Sequence, residues 1–360
     1  MNKRENINIE LLRIIACYFV IVIHTWGAFR MDGGSFHVEV FVAGVTARVA
    51  VPVFFMITGY VYSNKTALRK KIQEICYSYP DTGCNDEFLL GYDVAPGIHY
   101  FVDETQEYIT LAEYLKVIIL AGGARLRDLY LCGHFWYIEE LIKFYLLLPI
   151  LQFILCDGER ANKIRRFFLV IGFWVYFVTP VIERIWEMEI FNVYTPDGLL
   201  YIWYILFGFE LSKCNWKHAG MVGLFGHWIS IAVMSYLEYQ LEYLKLGDIE
   251  HTFSTNSSLF ILVSAVGLMM FVLNLKVPKR FYNGICMVGK GTLGIYIVHV
   301  FVYNVLYHLK ITALLEYVPT VVFCVIYSTS VFLVSFVGIK IWDILLAGIK
   351  MGDLKKTSKD

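Results

Sequence analysis

Nine stretches of this chain stay apolar over a length close to the roughly 20 residues that a helix needs to cross about 30 Å of hydrocarbon. They run over 7–29, 39–62, 133–156, 167–186, 198–212, 219–239, 257–275, 285–308 and 319–347, and a weaker one covers 109–123. With 58% of residues hydrophobic, 17% charged and a mean hydropathy of +0.58, a soluble domain of this length is excluded. The fold expected is an all-α integral membrane protein, a bundle of about ten transmembrane helices. Tyr and Trp gather near the ends of the apolar runs, where amphipathic rings favour the headgroup boundary. The first stretch is not read as a secretory signal, because Arg13 interrupts it and no small-residue cleavage site precedes the next span.

The positions of Lys and Arg orient the spans, since short cytoplasmic connections carry the excess of both. Lys3 and Arg4, 65–71, 160–166, Lys213 and Lys217, 276–280 and the Lys-rich tail are expected inside, with both termini cytoplasmic. If 65–71 and 160–166 share a side, the chain crosses twice between them; one crossing is 133–156, and only 108–123 offers the other. Residues 77–108 are too polar to span and are expected as a cytoplasmic insert within a membrane domain covering 1–348, followed by a basic cytoplasmic tail at 349–360. This orientation puts Asn85 and Lys217 inside and Gly133 and Lys310 outside. The formal net charge of zero says nothing about partners, and no nucleic acid is expected.

Ionisable residues within spans cost at least about 2.5–3.5 kcal/mol each on insertion scales and usually mark a functional path. Arg13 and His24 lie in the first span, eleven residues apart, which places them on nearly one helix face and about 16 Å apart along the axis. Glu10 lies one turn before Arg13, so an ion pair that eases insertion is its plain reading. Arg48 lies deep in the second span with no acidic residue within a turn, and a buried guanidinium requires an anion or carbonyl partner. Pairing with Glu139 or Glu140 of another helix would also satisfy it. Glu139 and Lys143, spaced by four, are expected to neutralise each other, which leaves Glu140 as the less explained charge. His134, Trp136 and Tyr137 open their span as either an aromatic belt or a sugar-stacking platform.

The runs Leu12-Arg13-Ile14-Ile15-Ala16 to Ile23-His24-Thr25, Arg48-Val49-Ala50-Val51-Pro52-Val53-Phe54-Phe55-Met56-Ile57-Thr58-Gly59-Tyr60, His134-Phe135-Trp136-Tyr137 and Leu293-Gly294-Ile295-Tyr296-Ile297-Val298-His299 resemble the acyltransferase family 3 membrane proteins. The resemblance covers nearly the whole chain. That family includes bacterial O-acetyltransferases of surface glycans and the membrane half of vancomycin-resistance serine racemases. Its Arg, ten residues, His motif is met by Arg13 and His24. The chain departs in carrying Thr58 where Ser is usual, in a basic cluster Arg69-Lys70-Lys71-Ile72 that lacks the second Arg often found after the second span, and in the polar insert.

The resemblance implies acyl transfer from a thioester to a hydroxyl, with acetyl-CoA as donor and no metal. His is the side chain best matched to proton transfer at neutral pH, and His24 is the expected base. Arg13 is expected to bind the donor or organise the site, and Arg48 to polarise the thioester carbonyl or contact substrate. Arg69, Lys70 and Lys71 are expected to attract the donor phosphates, with positive-inside anchoring as the plain alternative. His134, Trp136, Tyr137, Glu140 and His299 are expected substrate contacts; structural pairing also accounts for Glu140, and a helix-packing hydrogen bond for His299. The eight Cys show no zinc or disulfide spacing and read as small apolar packing residues. Gly289, Gly291 and Gly294 suit close helix packing.

Together these observations point to a multi-pass protein of the bacterial cytoplasmic membrane that acylates a hydroxyl of an envelope glycan or lipid-linked saccharide. A membrane carrier for an amino acid or small envelope precursor is the alternative. No internal repeat of the kind many transporters show is evident.

Overall fold

The computed structural model describes residues 3–27, 31–32, 35–64, 99–100, 109–110, 133–190, 197–213, 219–309 and 317–357. The chain divides into two compact units, 1–61 with 166–360, and 62–165. In chain order the elements are α1 (Lys3–Trp26), β1 (Met31–Asp32), β2 (Ser35–Phe36), α2 (Val38–Ala47), α3 (Ala50–Asn64), β3 (His99–Tyr100), β4 (Ile109–Thr110), α4 (Trp136–Leu151), α5 (Glu159–Trp186), α6 (Asp197–Leu211), α7 (Gly220–Leu246), α8 (Leu259–Asn274), α9 (Tyr282–His308) and α10 (Thr320–Thr357). The strands form two antiparallel ladders, each of two residues, β1 with β2 and β3 with β4.

The protein is a helical membrane protein. Among the described residues, six helices are long and apolar enough to cross a bilayer: Ile7–Trp26, Val38–Ser63, Glu159–Trp186, Gly220–Leu246, Lys279–Tyr307 and Thr320–Ile344. Leu199–Leu211 and Leu259–Asn274 are shorter apolar helices, and α4 adds one of 16 residues. Large apolar side chains on outer faces, such as Val222, Phe225 and Ile229 of α7 and Val334 and Ile341 of α10, are not covered by protein, as lipid-facing surfaces require. All nine strong apolar stretches therefore contain helix. The tenth does not begin as one, because Ile109 and Thr110 pair with Tyr100 and His99 in a ladder; residues 111–123 and most of the insert lie outside the described residues.

Two helices depart from the continuous spans expected. The second span breaks at Arg48 and Val49 into α2 and α3. Pro52 is the cause: it has no N–H to give the Arg48 carbonyl four residues back, and its ring crowds that carbonyl. The Arg48 amide turns to the Val45 carbonyl at 3.3 Å, and the regular ladder restarts with Val53 on Val49 at 3.0 Å. The sixth span, expected to end at 239, runs on to Leu246 through a π turn at Tyr239–Tyr243. Such turns insert one residue into the ladder and recur at functional sites. A second π turn, Phe173–Val178, lies within α5.

In the larger unit α1 is the hub, packing against α2, α8, α9 and α10. Cys17, Ile21, Val22 and Trp26 of α1 form one apolar cluster with Val40 and Ala47 of α2, Ile295 and Val302 of α9, and Phe323, Cys324, Tyr327 and Val331 of α10. At the other end of α1, the buried Asn8 donates through Nδ2 to the carbonyls of Leu273 at 2.9 Å and Leu275 at 3.1 Å, satisfying carbonyls that the end of α8 leaves without intrahelical donors. Ser258 caps the start of that helix through Phe260 N–H. Gly289 lies against Glu10 and Gly294 against Ile339, so these glycines let α9 approach α1 and α10.

The backbones of α3 and α6 approach closely, where a Cβ on Gly59 would strike the Ile205 carbonyl and one on Gly208 the Met56 carbonyl. Backbone on both sides cannot yield as a side-chain tip would. Gly208→Ala is therefore expected to force the two helices apart, an overpacking cost of about 1–3 kcal/mol. It is read as a lower melting temperature of the purified protein, against Gly284→Ala, where a Cβ meets nothing within 4 Å, as control.

In the smaller unit, Arg165 is fully buried rather than part of a solvated basic cluster. It donates to the Ile154 carbonyl at 2.6 Å, the Cys156 carbonyl at 3.3 Å and Asn162 Oδ1 at 2.6 Å, closing the turn after α4. Among the described residues Cys17, Cys156, Cys286 and Cys324 are free thiols, with Cys17 and Cys324 in the core.

Candidate active site at the end of the first helix

His24 occupies the last turn of α1. Its neighbours Ile21, Val22, Thr25 and Trp26 are buried, whereas His24 itself is exposed, so the helix presents the imidazole at an opening in otherwise closed packing. That turn is tied to α10: Trp26 Nε1 donates to Ser328 Oγ at 2.6 Å, Thr25 Oγ1 lies 3.2 Å from the same oxygen, and the Ser328 hydroxyl donates to the Cys324 carbonyl.

The ring centroids of His24 and His299 are 5.2 Å apart, inclined at 51°. His299 is fully buried on α9, and its Nδ1 lies 2.5 Å from the Tyr296 carbonyl. A carbonyl only accepts, so the His299 Nδ1 donates in this contact. The Nδ1 bond lies within its own helix instead of crossing to another. Two histidines far apart in sequence thus meet at the end of α1.

A recess at the last turn of α1 is lined by Ile23, Trp26 and the following Gly27, Val40, Phe41 and Gly44 of α2, Arg48 at the helix break, and His251. His251 belongs to the connection between α7 and α8 and has a left-handed backbone, φ 61°. Two buried carboxylates of α7 hold this connection. Glu242 accepts from the amides of Glu250 at 2.8 Å, His251 at 2.8 Å and Thr252 at 3.0 Å, and from the Thr252 hydroxyl. Glu238 accepts from the Ser254 amide at 2.8 Å and pairs with His251 Nδ1 at 3.1 Å. Both carboxylates are fully buried, a placement tolerated because charged groups away from water are hydrogen-bonded. Phe36 of β2 stacks on Tyr243 at 4.3 Å and approaches Tyr239 at 5.6 Å, packing the β1–β2 ladder onto the same π turn.

Arg13 bonds Glu10 at 2.8 Å, about a third exposed, the ion pair that its spacing expects. His134, Trp136, Tyr137 and Glu140 belong to the smaller unit, where His134 and Tyr137 are buried and Trp136 is half-buried. Lys143 pairs with Glu140 at 2.6 Å, not with Glu139, because residues three apart on a helix are neighbours as much as those four apart. Arg69, Lys70 and Lys71 lie outside the described residues. Sequence reasoning passed over Glu238, Glu242 and His251, although two acidic residues four apart near the end of an apolar run required partners. Among the described residues, no group of three His, Cys, Asp or Glu forms a metal-ligand set.

A family model described as an acyltransferase domain, that of acyltransferase family 3, matches residues 6–78 and 94–340. The comparisons with curated proteins and with solved structures each gave no significant match. The matched segments carry α1 with His24, the Arg48 break, the π turn of α7 and His299 within one family pattern, and the chain belongs to acyltransferase family 3.

Proposed function

We propose that this membrane protein transfers an acetyl group from acetyl-CoA to a hydroxyl of an envelope glycan or lipid-linked saccharide in the bacterial cytoplasmic membrane. In this reading about ten spans cross the bilayer, with both termini cytoplasmic. The observation that carries it is the exposed His24 at the end of the central helix of a family 3 acyltransferase, with His299 beside it. His24 takes the proton of the acceptor hydroxyl as its oxygen attacks the thioester carbonyl. The acyl carbon–oxygen bond forms, the carbon–sulfur bond breaks, and the proton passes to the departing thiolate. Arg48 contacts substrate or the thioester carbonyl, and Arg13 organises the donor end through its pair with Glu10. Arg69, Lys70 and Lys71 attract the donor phosphates, His134, Trp136, Tyr137 and Glu140 contribute substrate contacts, and His299 supports His24.

The full-length protein, reconstituted in vesicles, is expected to consume acetyl-CoA in the presence of a membrane saccharide extract and to leave alkali-labile acetyl esters on it. Uptake of amino acids into the vesicles without thioester consumption would instead establish the carrier reading.

A further inference from the structure

We propose that a groove among α5, α6, α7 and α8 is a binding site for an anionic phospholipid of the cytoplasmic leaflet, with its acyl chain in the groove and its phosphate among basic residues at the helix ends. The inference rests on the membrane orientation proposed above and not on the acyltransferase reading. The groove has a volume of about 560 Å³, within the range of small-molecule sites. Leu169 and Phe173 of α5, Phe207 of α6, Val222 of α7, and Val263 and Met270 of α8 line it. On α8 the lining runs from Leu262 to Met270, about 12 Å at the rise of a helix. That is less than half of the roughly 30 Å hydrocarbon core, so the groove matches a chain from one leaflet. Val222 and Val263 are exposed, and the groove therefore opens sideways to lipid.

Glycines open the groove. α7 and α8 press backbone to backbone at Gly223 and Gly267, where a Cβ on either would strike the carbonyl of the other. Gly226, nearly one turn further along α7, also lines the groove, and a Cβ there would meet only Val263, at 3.9 Å. The charge lies at one end. Arg166 precedes Leu169 and Phe173 by three and seven residues, so it continues their stripe on α5 toward the helix start. Lys213 lies two residues past the end of α6 and Lys276 two past the end of α8, and all three cations are exposed. The end of α8 meets the start of α7 at this level, where a Cβ on Gly220 would stand 3.0 Å from the Asn274 Cβ. Among the described lining residues Glu210 alone is charged. Lys213 follows it by three residues, a spacing at which opposite charges are neighbours, and Arg166 and Lys276 add further positive charge. Basic groups at the end of an apolar cleft complement a phosphate carried on a hydrocarbon chain, and they favour an anionic headgroup over a zwitterionic one.

The test uses the full-length protein in nanodiscs that contain a trace of phosphatidylglycerol with a photoactivatable diazirine on its acyl chain, and crosslinked residues are located by mass spectrometry. Crosslinks are expected within 207–211, 222–226 and 262–270, the segments that line the groove. Unlabelled phosphatidylglycerol is expected to suppress them several-fold more than phosphatidylethanolamine of the same chains. Labelling of Val334 and Ile341, exposed on α10, should respond to the two lipids equally. Equal competition at the groove, or no crosslinks there, overturns the proposal. Stronger suppression by a polyprenyl phosphate than by phosphatidylglycerol also overturns it, and assigns the groove to the isoprenoid carrier of a lipid-linked saccharide. Arg166→Gln is expected to weaken the preference for phosphatidylglycerol about fivefold, the worth of one basic residue at a membrane surface; an unchanged preference contradicts the placing of the phosphate. Gly226→Leu, which puts a side chain into the groove, is expected to lower crosslinking there several-fold with α10 labelling unchanged. Crosslinks at the original yield in that variant would put the chain outside the groove and overturn the proposal. None of these readouts involves thioester consumption, so their failure and that of the acyltransferase reading are told apart.

Discussion

His24→Gln is expected to lower acetyl transfer by about 10²–10⁴-fold, the range that general-base catalysis contributes, with the melting temperature of the purified protein unchanged. Gln keeps a hydrogen-bonding side chain of similar reach but takes no proton near neutral pH. The structure makes this substitution a clean probe. The side chains that hold the last turn of α1 in place, Ile21, Val22, Thr25 and Trp26, are buried, whereas His24 is exposed. Thr25 and Trp26 secure that turn to Ser328 independently of the imidazole. A structural histidine would behave as His227 is expected to: buried between α7 and α8 and bonded through Nδ1 to Ser264, it should lower stability when replaced. Wild-type transfer rates in a monodisperse His24→Gln protein would remove His24 as the base and pass the role to His299, 5.2 Å away between ring centroids.

Glu242→Ala is expected to release the connection between α7 and α8. Three backbone amides and one hydroxyl, all partly buried, converge on this carboxylate, and its removal leaves them without their acceptor. Hydrogen exchange at the amides of residues 250–252 should accelerate by at least about 10-fold, the equivalent of about 1.4 kcal/mol, while the amides of the core segment of α1 keep their protection. Glu242→Gln should fall between, since the amide retains one accepting oxygen. Unchanged exchange in Glu242→Ala would mean that the connection is held by its own turns, such as Ser258 N–H on the Thr255 carbonyl, and not by the carboxylate.

Much of the molecule was legible without coordinates. Apolar runs near the length of a bilayer crossing dictate helices because they alone satisfy their backbone within the segment, and helix is found in each of the nine strong runs. The Arg13–Glu10 pair and the glycines of α9 were legible for the same reason, since helical spacing settles which residues can touch along or across a helix. His24 and its family motif came from the sequence as well, whereas its exposure is seen only in the structure. Local chemistry that depends on a choice among near-equal neighbours did not. Lys143 had Glu139 and Glu140 within reach and took the second, and the role of Arg165 in closing the turn after α4 had no signal in the sequence. The break at Arg48 was written in Pro52, yet hydropathy, which averages over a window, hides a local defect of this kind. The meeting of His24 with His299, and the placing of Arg48 and His251 on one recess, were decided by tertiary structure alone. Each pair joins helices or connections remote in the chain, and the last also needed a π turn to carry Glu238 and Glu242 into place. Burial along each helix follows from which side chains water rejects, a property of the residues themselves, whereas the partners across a bundle follow from how whole helices pack, which no single segment specifies.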